Sequence, residues 1–235
     1  MHTPPQLHTL FPGLILVALL PCAGLGQRLA LDSTHGLQPH NVTLEPTSYL
    51  GRKAIRVLPS AAADGAWESN RLSSGGGVVV VPNLAFHNGT IELKVSGKPR
   101  AGAVADARGF VGIAFRVSGD ASKYECFYIR PTNGRADNQL RRNHSTQYMS
   151  FPEYEWSRLR KEAPGQYESY VDLVPGVWTP IKVEVSGSKA QLYVGGSSQP
   201  VLIVNDLKLG DTSGSVALWI GQGTEAYFCD LRVSR

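Results

Sequence analysis

The sequence has 235 residues, of which 42% are hydrophobic and 18% are charged, and its formal net charge is +4. So mild a positive charge, without a basic helix or a lysine stripe interleaved with aromatic residues, argues against a nucleic-acid partner. The length fits one large all-β domain, since sandwiches and barrels often reach this size as single units.

The first 26 residues contain no Lys, Arg, Asp or Glu, and residues 14–20 form an apolar run that is too short to span a bilayer. Small residues at Gly24 and Gly26 fit cleavage before Gln27. We therefore predict a signal peptide over 1–26 and a single exported domain over 27–235, periplasmic or extracellular, without a transmembrane segment. An uncleaved anchor is the alternative.

The next part of the sequence alternates in the manner of β-strands. Short strand-like pieces over 29–57 are followed by a glycine-rich surface loop over 59–77. Two regular runs come next, GTIELKVSG at 89–97 and GFVGIAFRVSG at 109–119. Because side chains alternate along a strand, we expect Arg116 on the open face of the sheet.

Residues 124–170 concentrate the polar, cationic and aromatic side chains of the sequence. They begin with a strand-like run in which Phe127 faces inward and Tyr128 outward. The rest is too aromatic for disorder, and a loop this long in a domain is usually functional. The alternative is a solvated loop whose arginines pair with its glutamates. One short surface helix is predicted over 152–163, with Pro152 in its first turn.

The last part of the sequence is again a series of alternating runs separated by turn residues. These runs lie at 177–187, 189–196, 200–207, 214–223 and 226–233. Their spacing is typical of an antiparallel sandwich.

The order of these motifs resembles a known family. The segments RGFVGIAFR, YECFYIRPTNGR, HSTQYMSFPEYEW, WTPIKVEV and GSVALWIG, ending in AYFCDLRV, are similar to concanavalin A-like, laminin-G-like jelly-roll domains. More narrowly they resemble the secreted bacterial DUF1080-type group, described as 3-keto-disaccharide hydrolase-like or family-16-like. The resemblance covers roughly 29–233 and is strongest over 108–160. It implies a glycan site on the concave sheet, but one jelly roll hosts lectins, hydrolases and adhesion modules alike.

The predicted fold is therefore all-β, a two-sheet antiparallel jelly-roll sandwich with one short surface helix near 152–163. The predicted partner is an oligosaccharide or polysaccharide in a groove. Sugars need planar hydrogen-bond donors for their hydroxyls and flat rings for their C–H faces. Side chains of both kinds are predicted to bind it: Arg116, Tyr128, Arg130, Asn133, His144, Gln147, Tyr148, Arg160 and Trp219. The alternative is a non-catalytic laminin-G-like adhesion or cell-envelope-binding module that uses the same face.

Hydrolysis follows from the resemblance alone, and the paired-carboxylate E-x-D-x-E strand of the family-16 glucanases is absent. Glycoside hydrolysis needs two carboxyl groups, about 5 Å apart for retention or about 6.5–9.5 Å apart for inversion. The catalytic candidates are Glu153, Glu168 and His144. The interpretation that we favour is that these glutamates form ion pairs with nearby arginines and that His144 is a surface hydrogen-bonding group.

The six histidines are scattered and no metal-binding spacing occurs, so no metal site and no cofactor is predicted, although a structural calcium stays open. The use of the N-glycosylation sequons at Asn41, Asn88 and Asn143 depends on a eukaryotic source.

Cys126 and Cys229 are the only cysteines after residue 26. Strand parity places Cys126 on the groove side of one sheet. Cys229 lies on the last strand, which the resemblance to jelly rolls implies is in the other sheet. Stacked sheets are about 10 Å apart, whereas a disulfide needs Cα atoms about 4.4–6.8 Å apart. We therefore predict two free thiols.

Overall fold

The computed structural model of the protein describes residues 1–2, 26–63 and 76–235. Most of these residues belong to two antiparallel sheets. The first sheet has eight strands, which are β1 (Gln27–Leu29), β3 (Val42–Tyr49), β4 (Arg52–Pro59), β6 (Gly89–Pro99), β11 (Thr179–Ser186), β12 (Lys189–Val194), β13 (Leu202–Val204) and β15 (Thr224–Ser234). The second has seven, which are β2 (Gln38–His40), β5 (Gly77–Phe86), β7 (Val111–Val117), β8 (Tyr124–Ile129), β9 (Thr146–Phe151), β10 (Glu168–Ser169) and β14 (Gly214–Ile220).

The strand order departs from the chain order, as in a jelly roll. The eight-stranded sheet runs β13-β12-β11-β6-β15-β4-β3, with β1 paired to β15, and the seven-stranded sheet runs β10-β9-β8-β7-β14-β5-β2. The last strand, β15, is therefore flanked by β6 and β4 inside its sheet. This arrangement confirms the predicted two-sheet antiparallel sandwich.

The hydrophobic core lies between the two sheets. It includes Ile113 and Phe127 from the seven-stranded sheet and Val95 and Phe228 from the eight-stranded sheet, all of them inaccessible to solvent. These residues follow the period-2 alternation that the sequence shows, because one face of each strand points to the opposite sheet.

Two short helices follow strands of the seven-stranded sheet. Helix α1 (Gln139–Asn143) begins after Asn138, whose side chain accepts a hydrogen bond from the backbone N–H of Arg141 at 2.9 Å. Helix α2 (Trp156–Glu162) buries Leu159 and contacts β9. It is the helix predicted over 152–163, but it begins four residues later than Pro152. The sequence did not predict α1, because this helix has no apolar periodicity to reveal it.

Within the described residues, no helix is long and apolar enough to cross a bilayer. The apolar run at 14–20, on which the predicted signal peptide depends, lies outside these residues. Both Cys126 and Cys229 are buried and free, which confirms the two free thiols.

Candidate functional site

One row of paired residues crosses the seven-stranded sheet at the level of Tyr128. Tyr128 pairs with Gln147 on one side and with Gly112 on the other, and the row continues to Glu168 and Trp219. Directly paired residues of antiparallel strands project from the same face. The row therefore gathers an acid, an amide and two aromatic rings on the face opposite the core.

The aromatic rings of Tyr128 and Trp219 meet above Gly112. Their centroids are 4.5 Å apart and their planes are inclined by 27°. A Cβ atom at Gly112 would lie 2.6 Å from the Cβ of Tyr128, so only glycine leaves this space open. The two rings form a stacked aromatic floor, although the sheet places their strands two positions apart.

Arg130 follows strand β8 and is fixed by four hydrogen bonds. One terminal nitrogen donates to the carbonyl of His144 at 2.9 Å and to Glu168 Oε1 at 3.3 Å. The other donates to Tyr128 Oη at 3.0 Å and to Gln147 Oε1 at 2.9 Å. Since its guanidinium also lies 5.0 Å from the Tyr128 ring centroid, Arg130 is held rigidly against the aromatic floor.

Glu168 is the buried anion of this network, with only 2% of its side chain exposed. It accepts from Arg160 Nε at 2.9 Å and from a terminal nitrogen of the same side chain, in addition to Arg130. His144 Nε2 lies 3.5 Å from Glu168 Oε2. Burial lowers the pKa of His144; the charge of Glu168 opposes this shift, and those of Arg160 and Arg130 add to it.

A cavity of about 640 Å³ opens above this row. Beside the floor its wall carries two further rings, Phe110 and Trp156. Phe110 meets Tyr128 edge-on at 6.2 Å, and Arg160 lies 4.7 Å above the Trp156 ring. The cavity thus combines flat apolar surfaces with guanidinium donors.

Another corner of the cavity is formed by Arg108 and Arg141. The Arg108 carbonyl accepts from the backbone N–H of Thr132 at 3.3 Å, and the Thr132 hydroxyl accepts from Arg141 at 3.2 Å. Arg141 Nε donates to Asn133 Oδ1 at 3.1 Å, and Asn133 Nδ2 donates to the His144 carbonyl at 3.0 Å. The 3-10 turn Pro131–Asn133 therefore ties this corner to the floor.

Of the predicted binding residues, six line the cavity together: Tyr128, Arg130, Asn133, His144, Arg160 and Trp219. Gln147 lies fully buried beneath them and reaches the site only through Arg130. The prediction did not include Arg108, Phe110, Arg141 and Trp156, which also line the cavity. Arg141 and Trp156 belong to the polar stretch 124–170. An arginine and a tryptophan in this stretch were therefore the signal by which the sequence could have identified them as site residues.

The expectation that Arg116 lines an open face was wrong. The pairing of β7 with β14 shifts register at this point, and Arg116 has a positive φ of 53°, which marks a β-bulge. Its buried side chain donates to the carbonyls of His87 at 3.0 Å and Gly187 at 2.7 Å, and also to that of Gly210. Arg116 therefore joins three loops outside the cavity.

Tyr148 also lies away from the cavity. It pairs with Phe127, and so it faces the other sheet rather than the groove. Its hydroxyl donates to Glu125 Oε2 at 2.6 Å and accepts from the backbone N–H of Lys208 at 2.8 Å. Burial raises the pKa of Glu125, while the hydrogen bonds from Tyr148 and from the Leu209 backbone oppose the shift.

The catalytic candidates fall in different surroundings. Glu153 is exposed and does not line the cavity. Glu168 is neutralised by Arg130 and Arg160, so the predicted ion pair with a nearby arginine is confirmed for this residue. Among the described residues, no group of three or more His, Cys, Asp or Glu side chains is placed to hold a metal ion.

A scan against protein-family models found no match, and a search of curated proteins found none. Solved structures do share the fold. A protein of unknown function with a galectin-like fold from Bacillus subtilis has a TM-score of 0.58 at 11% identity, over 90% of this chain and 96% of that one. The carbohydrate-binding module CBM66 from Bacillus subtilis has a TM-score of 0.55 at 14% identity, over 85% and 96%.

A candidate glycosyl hydrolase from Parabacteroides distasonis has a TM-score of 0.53 at 10% identity, over 88% of this chain and 98% of that one. At such low identity these similarities establish the jelly-roll, galectin-like fold alone.

Proposed function

We propose that the protein binds a saccharide in the cavity above Tyr128 and Trp219. The observation that carries this proposal is a cavity in which two part-exposed rings, Phe110 and Trp156, and rigid polar groups surround the buried Tyr128–Trp219 stack. Aromatic rings pack on the C–H faces of sugars, and guanidinium, amide and imidazole groups bond to their hydroxyls. The naming of one structural neighbour as a carbohydrate-binding module supports the same proposal.

Binding is preferred to hydrolysis because of the state of the acidic groups. Glu168 does not line the cavity, and its two carboxylate oxygens accept hydrogen bonds from Arg130 and Arg160. Asp106 lines the cavity, but it pairs with Arg108 and its side chain is 94% exposed. Among the residues that the structure describes, Glu155 is the other acidic residue that lines the cavity. A retaining or inverting hydrolase needs two cooperating carboxyl groups.

Hydrolysis of a 3-keto-disaccharide or related sugar is the second candidate, favoured by the resemblance over 108–160 and by the name of the hydrolase-like neighbour. This second candidate function includes the proposal that the chain is a member of the DUF1080-type group. Product release by the wild-type protein that disappears in Glu155→Gln would establish hydrolysis. Binding without product release would leave the proposed binding function in place.

The binding test is a saccharide array followed by calorimetry on the hits. We expect Trp156→Ala to weaken binding about five- to tenfold, since an aromatic contact contributes about 1 kcal/mol beyond its buried area. Trp178→Ala is the matched control, because Trp178 is also half-buried but packs against Tyr49 of the other sheet. A folded wild-type protein that binds no saccharide would refute the proposal.

We also propose that the protein is exported, on the basis of the apolar, uncharged residues 1–26. Expression of the full sequence followed by cell fractionation and N-terminal sequencing tests this. Export predicts a processed chain that begins at Gln27 outside the cytoplasm. A full-length chain retained in the cytoplasm would contradict it.

A further inference from the structure

The cationic groups of the cavity come from four separate parts of the chain. Arg108 precedes β7, Arg130 follows β8, Arg141 belongs to α1 and Arg160 belongs to α2. Arg130 and Arg160 share a single carboxylate, that of Glu168. Two guanidinium groups therefore share one carboxylate within this ion-pair cluster, and Glu155 is a further acidic residue of the cavity wall.

The Arg108–Arg141 corner has an excess of positive charge. Arg108 pairs with Asp106, whereas within the described part of the chain the Arg141 side chain donates only to neutral oxygens, those of Asn133 and Thr132. No acidic side chain of residues 26–63 or 76–235 forms a salt bridge with Arg141. Arg141 is joined through Thr132 to the backbone carbonyl of Arg108, and both arginines line the cavity.

The arrangement is fixed rather than adaptable. Arg141 lies in α1, whose first turn is capped by Asn138, and its Nε and one terminal nitrogen are already engaged. Burial lowers the pKa of Arg141, and the charge of Arg108 adds to the effect while Asp106 opposes it. Holding two like charges together costs free energy, which a bound anion would offset.

We infer that the saccharide bound in the cavity is acidic, with a carboxylate or sulfate group held at the Arg108–Arg141 corner while a sugar ring packs against the part-exposed rings of Phe110 and Trp156. This inference rests on the proposed function and narrows it to a ligand class. A neutral sugar would pack against these rings but would leave the excess positive charge of the corner, that of Arg141 beside the Arg108–Asp106 pair, without a counterion. Charge-assisted hydrogen bonds to an anion are roughly twice as strong as neutral ones.

The experiment compares charged oligosaccharides with their neutral counterparts. One arm uses oligogalacturonates and the same oligomers after carboxyl reduction; the other uses sulfated galactan oligosaccharides before and after desulfation. Affinities are measured by calorimetry at about 20 mM and about 300 mM NaCl, because screening weakens interactions between charges. The two arms distinguish carboxylate from sulfate as the source of the charge.

The variants are Arg141→Gln and, as a matched control on the other sheet, the exposed Arg232→Gln. In at least one arm we expect the charged oligosaccharide to bind about tenfold more tightly than its neutral counterpart, with the advantage reduced at high salt. Arg141→Gln should lower the affinity for the charged oligosaccharide about tenfold and the affinity for its neutral counterpart less than twofold. Arg232→Gln should change neither affinity.

Three results would overturn the inference. Equal affinities within both pairs would leave saccharide binding intact but show that the ligand need not be acidic. An equal loss for charged and neutral members in Arg141→Gln would show that Arg141 only positions Asn133 and Thr132. Failure of the folded protein to bind any saccharide in the array would remove the proposed function and this inference together.

Discussion

At the scale of single residues, the aromatic floor depends on a side chain that is missing. Gly112 lies between Tyr128 and Trp219 in the same row of the sheet, and its lack of a Cβ lets the two rings converge. A Cβ would also lie 2.1 Å from the Phe127 carbonyl oxygen. The floor is thus specified by glycine as much as by the aromatic residues.

We predict that Gly112→Ala lowers the free energy of unfolding by about 3 kcal/mol, because overpacking forces neighbouring atoms apart. Urea denaturation measures the loss, and near-UV circular dichroism reports the altered Tyr128–Trp219 stack. Gly119→Ala is the matched control, since a Cβ there meets nothing within 4 Å. Equal stability of the two variants would show that the sheet adapts to a side chain at Gly112.

Glu168 gives a second prediction at this scale. Glu168→Gln should destabilise the protein by about 3 kcal/mol, because it leaves the nearly buried Arg130 without its anionic partner. Glu162→Gln breaks an exposed ion pair with Arg158 and should cost less than about 1 kcal/mol. Denaturant unfolding of both variants makes the comparison. Similar small losses in both would mean that water replaces the carboxylate of Glu168.

At the scale of elements, the loop between β13 and β14 is tethered to the inner face of the seven-stranded sheet. Leu209 donates its backbone N–H to Glu125 Oε1 at 2.7 Å, and Lys208 donates to the Tyr148 hydroxyl, which itself donates to Glu125. A buried carboxylate thus anchors a loop, and its protonation is coupled to the stability of the protein.

This coupling predicts a pH dependence. Burial raises the pKa of Glu125 above its ordinary value of 4.5, so the folded state binds this proton more tightly than the unfolded state. The stability that this proton contributes to the folded state is fully present below about pH 4.5. It is lost as the pH rises through the pKa that Glu125 has in the folded protein. Relative to wild type, Glu125→Gln should gain stability with rising pH, by at most about 1.4 kcal/mol per pH unit.

Urea unfolding of the two proteins between about pH 4 and pH 8 measures this trend. Glu153→Gln, which removes an exposed carboxylate, controls for the loss of one charge. A difference between wild type and Glu125→Gln that stays constant over this range would contradict the coupling.

The sequence predicted the elements better than their register. Alternation is local, so the strands observed at Gly89–Pro99, Val111–Val117 and Tyr124–Ile129 lie where the pattern placed them. The face of the sheet from which Arg116 and Tyr148 project depends on the pairing with the partner strand. A bulge or a one-residue change of register moves a side chain to the opposite face. Site residues just beyond strand ends, such as Arg130 and Asn133, were found because their chemistry is unusual for a core.

At the scale of the whole molecule, the sandwich keeps its two thiols apart. Cys126 lies on the cavity side of β8, and Cys229, paired with Lys94, lies in β15 of the other sheet. Burial raises the pKa of the Cys229 thiol to about 11 and raises that of Cys126 as well. Both sulfur atoms are therefore protonated at neutral pH and shielded from reagents.

We predict that the chain from residue 27 onward does not react with a thiol reagent while folded and titrates two thiols when denatured without reductant. Reductant should leave its unfolding midpoint unchanged. Rapid reaction of the native protein would show that one of the two strands opens, and a count of zero after denaturation would mean that the cysteines are joined.

The position of β15 inside the eight-stranded sheet has a consequence for synthesis. Strands β6 and β4 are made long before Thr224–Ser234, yet both need this segment as their neighbour. Until Thr224–Ser234 has emerged from the ribosome, the eight-stranded sheet therefore has a gap at its centre, and the sandwich cannot close.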